Sequence, residues 1–393
     1  AVHKASSLVA PLLRPAIAVG LRAGVLEQAA PVEAGRGFDV VGALAEHFLL
    51  VRQRFPDPLR LQFRAGHDRD GRADAGDKGL SDGTRVLDHR LAAGVGLGTW
   101  NHTRDLGSLD NQPIIRQNRD TLYSSAIIDV RENVTITVPD TGKRYISVWV
   151  VSQDHYGPVI LRDPGEHLLT RELVGTDYAA LIVRILVDPN SPEDVAEVNR
   201  LQDALNIDGG GTGEFPLPDY DEQSQTETRD ALLALARGIT TYDHSFGTAA
   251  EVDPIRHLLG TASGWGGLPE YEATYVNFDE RLPVGEYRLR LNDVPVDAFW
   301  SVSLYNAAGY FEENALGVNS INSLTATPDS DGSTTIRFGV HLDGVANALP
   351  IMPGWNYVLR LYRPRPSVLD GTWTAPRPEA LQQSVPHAHT TLG

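Results

Sequence analysis

Cysteine is missing altogether from this 393-residue chain, and methionine occurs once, at Met352. Without thiols there is no disulfide, no thiolate metal site and no cysteine nucleophile, and the redox compartment leaves no trace. Lysine is scarce (Lys4, Lys78 and Lys143), so arginine carries nearly all the positive charge. No apolar run reaches the roughly 18 residues that a spanning helix needs, so no integral membrane span is expected. Basic residues number 34 against 51 acidic, a formal net charge of −17. Such a surface repels phosphate backbones and anionic bilayers, and no nucleic-acid partner is expected. The chain opens at Ala1 rather than Met, which is compatible with a removed signal peptide and leaves localisation unknown.

What is present suffices for a large core. The chain is 41% hydrophobic, with 37 glycines and 25 prolines to punctuate it, and its length suggests two domains or one large one with embellishments. Residues 1–55 read as a helical segment, with Asp39 as N-cap and an apolar face through Val40, Leu44, Phe48 and Val51. Residues 56–110 are an Asp/Gly-rich irregular excursion. From 111 to 190 short β-branched and aromatic runs alternate with turn signals, as in TLYSSAIIDV from Thr121 to Val130. Residues 191–283 read as a helical connector, with helices expected near 192–205 after Ser191-Pro192, at 226–237, and from Pro254 after Asp253. Strands return over 284–375, and 376–393 is a tail. Evenly spaced strands with few helical crossovers predict a mainly β fold: two antiparallel β-sandwich domains with bridging and flanking α-helices.

Long stretches covering most of residues 100–375 carry a family resemblance, among them NQPIIRQNRDTLYSSAIIDV (111–130), VDPIRHLLGTASGWGG (252–267) and DVPVDAFWSVSLYNAAGYFEEN (293–314). They resemble bacterial proteins with paired domains of unknown function, numbers 1254 (N-terminal) and 1214 (C-terminal). The resemblance implies two jelly-roll-like domains and no settled activity. Relatives often carry cysteines near Val340 to Ala348, where this chain has none. The Asp/Gly-rich stretch around 66–83 reads as an insertion specific to this chain.

Asp68, Asp70, Asp74 and Asp77 stand on a glycine-containing loop whose spacing suits Ca²⁺, a cation that takes six to eight oxygen ligands. The bland alternative is a solvated acidic loop, its charge offset by Arg69, Arg72 and Lys78. Gly79-Leu80-Ser81-Asp82-Gly83 matches the serine-hydrolase elbow but lacks the preceding strand, and reads as loop. No organic cofactor is implied.

Strand parity says more. Within 144–155, Ile146, Val148 and Val150 share an apolar face, against Tyr145, Ser147, Trp149, Val151, Gln153 and His155. In 119–128, Leu122, Ala126 and Ile128 oppose Arg119, Thr121, Tyr123 and Ser125. The second domain repeats this, with Phe299, Ser301, Ser303 and Tyr305 opposite Trp300, Val302 and Leu304, and Arg360 and Tyr362 opposite Leu359 and Leu361. Aromatics among convergent polar groups suit a ligand pocket. His155, Tyr123 and Arg119 are the expected catalytic groups, and Trp149, Gln153, Tyr305 and Arg360 the expected ligand contacts; Asp120 and Asp154 are expected to make structural turn or cap bonds.

The reading is therefore a small-molecule-binding protein or an enzyme of unknown reaction, with its site on polar-aromatic sheet faces. The alternatives are a structural or assembly protein using those faces as subunit interfaces, or a secreted carbohydrate-active enzyme. A homo-oligomer is expected.

Overall fold

A computed structural model describes residues 96–381, apart from 107–108, 111, 113–115, 212, 214, 216–221 and 240. The helical segment expected before residue 56, the Asp68–Asp77 loop and the 79–83 elbow lie outside the described residues.

The first sandwich uses strands β1 (Asn101–His102), β2 (Thr121–Asp129), β3 (Val134–Val138), β4 (Ile146–Ser152), β5 (Val159–Leu161), β6 (Gly165–Leu169), β7 (Tyr178–Leu186) and β8 (Asn206–Asp208). They form a five-stranded sheet, β1-β2-β7-β4-β5, over a three-stranded one, β6-β3-β8. Between β6 and β7 lies a short helix α1 (Arg171–Val174), and between β7 and β8 lies α2 (Pro192–Asp203). Helix α2 starts as its sequence dictates: Ser191 accepts a bond from the Asp194 N–H, and Pro192 takes the first turn. The sandwich therefore closes at Asp208, past the boundary at 190 that composition suggests.

The connector holds α3 (Glu222–Leu235) and α4 (Pro254–Ser263), the latter capped by Asp253. The second sandwich follows: β9 (Ala273–Phe278), β10 (Tyr287–Leu291), β11 (Trp300–Tyr305), β12 (Ser320–Asn322), β13 (Thr334–Gly339), β14 (Ala348–Pro350), β15 (Asn356–Tyr362), helix α5 (Pro366–Leu369) and β16 (Glu379–Ala380). Its sheets are β12-β11-β15-β9 and β14-β13-β10-β16, antiparallel except for the β13–β14 pair.

The two sandwiches repeat one topology. In chain order β2, β3, β4, β5, β6, β7, α2 and β8 correspond to β9, β10, β11, β12, β13, β15, α5 and β16, and, β1 and β14 aside, each of these strands has the same neighbours in its sheet as its counterpart.

Each sandwich has its own core. Leu122, Ile128, Val148, Val150, Leu181 and Val183 meet Val134, Ile136 and Leu169 in the first; Val302, Leu304, Leu359 and Leu361 meet Leu289, Ile336 and Phe338 in the second. These are the apolar parities of the sequence. The opposite parities are not left to water, for every residue of β4, β11 and β15 is buried. The large sheets turn their second faces toward each other, and Tyr145, Trp149, Val151 and Leu186 pack with Ala273, Phe299 and Tyr362 in a third cluster. Both faces of the central strands are thus covered within one chain.

Candidate functional site between the facing sheets

At the centre of each facing sheet lies the same row of three side chains. Tyr123, Arg184 and Ser147 are cross-strand neighbours on β2, β7 and β4. Tyr275, Arg360 and Ser301 are cross-strand neighbours on β9, β15 and β11. Each arginine interrupts an otherwise apolar strand on the face opposite its core, so both guanidiniums are directed between the domains.

Arg360 is fully engaged. Its Nη1 donates to Ser303 Oγ at 2.7 Å, and its Nη2 donates to Tyr305 Oη at 2.7 Å and to the Arg116 carbonyl at 2.8 Å. The Asp120 carboxylate stands 4.0 Å away and accepts from Ser301 Oγ at 2.5 Å and Ser320 Oγ at 2.8 Å. Both ions are buried, and every hydrogen bond named here joins the first domain to the second or braces that junction. This is the arrangement a buried ion pair requires.

Arg184 is held differently. It is 8% exposed; Nη2 donates to the Gly266 carbonyl at 3.1 Å, while Nη1 is buried without a hydrogen-bond partner. Its guanidinium lies 5.3 Å from the Tyr123 ring centre, a cation–π contact. Among the described residues no carboxylate forms an ion pair with it. Burial opposes its charge, but the surrounding phenols of Tyr123, Tyr275, Tyr362 and Tyr145 outweigh that and hold it protonated. Asn118 Nδ2 lies 3.1 Å from Tyr123 Oη and 3.0 Å from Tyr362 Oη, donating toward both phenols. For Tyr123, burial pushes the phenol up, but the Arg184 charge and bonds from Asn118 and Thr121 more than offset it, holding the group below its usual range. Tyr275 is 37% exposed as a residue, while burial raises its phenol above the ordinary value.

The nearby acid Glu272 is fully buried and engaged elsewhere. It accepts from Tyr145 Oη at 2.8 Å and from Arg162 Nε at 2.8 Å, with Arg162 Nη2 completing a forked ion pair. Burial, then the Glu272 charge, raises the Tyr145 phenol well above its ordinary value.

Of the residues selected from the sequence, Tyr123 stands in this constellation beside Arg184, and Arg360 and Tyr305 stand across from it as bracing groups. Trp149 is 2% exposed and packs in the interdomain cluster, pressed against Gly157. Arg119 lies apart, its Nη1 donating to the Leu106 carbonyl at 3.4 Å and its guanidinium 5.8 Å from the Phe311 ring centre. Gln153 braces the start of β7, its amide oxygen accepting from the Tyr178 N–H at 3.2 Å.

His155, expected among the catalytic groups, is placed away from Tyr123 and Arg184 in a buried structural role. Strand β4 ends at Ser152, and a turn with His155 at φ 65° breaks the parity that placed it beside Trp149. The ring is 3% exposed; Nε2 accepts from the Gly266 N–H at 2.8 Å and Nδ1 faces Thr261 Oγ1 at 2.8 Å. Burial, then the His257 charge, pushes its pKa down to about 3. It is neutral at physiological pH and locks α4 to the first sandwich. Asp120, expected in a local turn bond, instead reaches across to Ser301 and Ser320 of the second domain.

The sequence reading passed over Arg184, Asn118, Glu272 and Arg162. A signal existed for Arg184: a lone arginine opposite Leu181, Val183 and Ile185 in a strongly apolar run. Among the described residues no group of three or more His, Asp or Glu side chains is placed to hold a metal ion, and no helix is long and apolar enough to cross a membrane.

Residues 97–155 match the protein family of unknown function DUF1254 and residues 280–366 match DUF1214, in the N- to C-terminal order the sequence motifs anticipate. The crystal structure of the VPA0106 protein from Vibrio parahaemolyticus has a similar fold, with a TM-score of 0.61 and 18% identity, covering 78% of this chain and 98% of that one. A putative uncharacterized protein from Burkholderia cenocepacia aligns at 16% identity over 78% of this chain and 93% of its own, with a TM-score of 0.45. No curated protein is similar to the chain.

Proposed function

Since the chain carries paired DUF1254 and DUF1214 domains, we propose that it is a small-molecule-binding protein or enzyme whose ligand is an organic anion, held at the Arg184 face between the two sandwiches. The observation that carries this reading is the buried, unpartnered Nη1 of Arg184. A buried donor costs about 1–3 kcal/mol when left unsatisfied, and more when it belongs to a charged group. An anion supplies both the missing acceptor and the missing counter-charge. The phenols of Tyr123, Tyr275 and Tyr362 give that ligand aromatic walls and hydroxyl contacts. Tyr123, beside the guanidinium, is the group best suited to exchange a proton with a bound ligand.

Thermal melts with benzoate, phenyl phosphate, benzenesulfonate and neutral benzamide test the reading, on the wild-type chain and on Arg184→Met. An anion at a hundredfold its Kd adds about 2.7 kcal/mol of apparent stability. The expected result is a raised Tm with at least one anion, none with benzamide, and loss of the response in Arg184→Met. An equal response in Arg184→Met, or none in the wild type, refutes the site.

A further inference from the structure

The duplicated topology allows each residue of one facing sheet to be compared with its counterpart in the other. The Leu186 N–H donates to the Tyr145 carbonyl, as the Tyr362 N–H does to the Phe299 carbonyl; the Val187 N–H donates to the Asp120 carbonyl, as the Arg363 N–H does to the Glu272 carbonyl. Asp120 and Glu272 therefore hold the same place in the two copies, and Arg184 corresponds to Arg360.

The side chains at these places diverge. Asp120 crosses to Arg360 of the facing copy. Its counterpart Glu272 is bound by Arg162 and Tyr145 instead, although Tyr145 lies within electrostatic reach of both Glu272 and Arg184. Ser303 and Tyr305 serve Arg360, whereas the same register on β4 holds Trp149 and Val151, whose side chains offer no oxygen acceptor. Arg360 is met by the facing copy's carboxylate and by hydroxyls of its own copy; Arg184 keeps its charge without a corresponding carboxylate or hydroxyl pair.

Resting on the anion reading above, we infer that the ligand group bound by Arg184 is a carboxylate, taking the part toward Arg184 that Asp120 plays toward Arg360, and that Arg162 keeps the face free by holding Glu272 away. A single guanidinium balances one negative charge. A phosphate dianion would bring a second charge into a buried place with no cation to meet it.

Isothermal titration of the wild-type chain with benzoate and with phenyl phosphate tests the inference, together with Arg162→Met alone and combined with Glu272→Gln. Benzoate is expected to bind at least tenfold more tightly than phenyl phosphate. Arg162→Met should weaken benzoate at least tenfold, as freed Glu272 turns to Arg184, and Glu272→Gln in that background should restore the affinity. Phenyl phosphate binding as tightly as benzoate overturns the carboxylate inference while leaving an anion site in place. Unchanged benzoate affinity in Arg162→Met removes the role given to Arg162. If neither compound binds the wild type, this inference and the anion reading fall together. Should Arg162→Met fail to fold, the order of the two ligands on the wild-type chain still decides.

Discussion

Mild acid should destabilise this fold through one histidine. His155 Nε2 accepts from the Gly266 N–H, so that nitrogen carries no proton; Nδ1 carries it toward Thr261 Oγ1, which in turn donates to the His257 carbonyl at 2.8 Å. Protonating Nε2 would break the Gly266 bond and place a charge in a site 3% exposed, with the His257 ring 5.4 Å away. The folded ring therefore titrates at about 3, depressed by burial and then by His257, whereas the unfolded chain titrates near its ordinary value of about 6.5. Between those values the unfolded chain binds more protons, so stability is full above about pH 6.5 and falls on acidification. The slope approaches roughly 1.4 kcal/mol per pH unit, or up to about 3 kcal/mol lost by pH 4.5. Urea melts at pH 6.5, 5.5 and 4.5 on the wild type and on His155→Asn would measure it. Asparagine tolerates the left-handed backbone at this position. The variant should start less stable and show a flatter pH dependence. Parallel curves for the two proteins would refute the assignment of His155 as a buried neutral group.

The two central arginines should respond oppositely to removal. Arg360→Met strands the buried Asp120 and should cost about 3–5 kcal/mol in denaturant melts, whereas Arg184→Met removes an uncompensated cation and should change stability by about 1 kcal/mol or less; equal losses would contradict the distinction between them. A Cβ at Gly157 would lie 1.6 Å from Trp149 Cη2, so Gly157→Ala should displace the indole, with a loss of at least about 2 kcal/mol and a changed tryptophan fluorescence. Calcium binding through Asp68, Asp70, Asp74 and Asp77, proposed from spacing alone, should appear as heat in calorimetry at millimolar calcium and vanish when these four are changed to Asn.

The alternation of apolar side chains was enough to predict both sandwiches, since a period of two assigns each residue to a face without reference to any other strand. It placed Val148, Val150, Val302 and Leu359 inward, and the caps Ser191 and Asp253 announced their helices locally. The same alternation singled out Tyr123, Trp149, Tyr305 and Arg360 as facing away from the cores. It said nothing of what those faces meet. Only the tertiary structure set one sheet against the other, covering within the chain the surfaces that an assembly role would expose. Asp120 and Ser301 lie 181 residues apart, and no local pattern encodes a pairing at that separation. His155 shows the other limit: parity holds only while the strand lasts, and a single left-handed residue after Ser152 turned an expected site group into a structural one. The contrast between a satisfied Arg360 and an unsatisfied Arg184 also belongs to the tertiary level. It depends on which oxygens the neighbouring strand and the facing domain together bring to each guanidinium, and no single strand decides that alone.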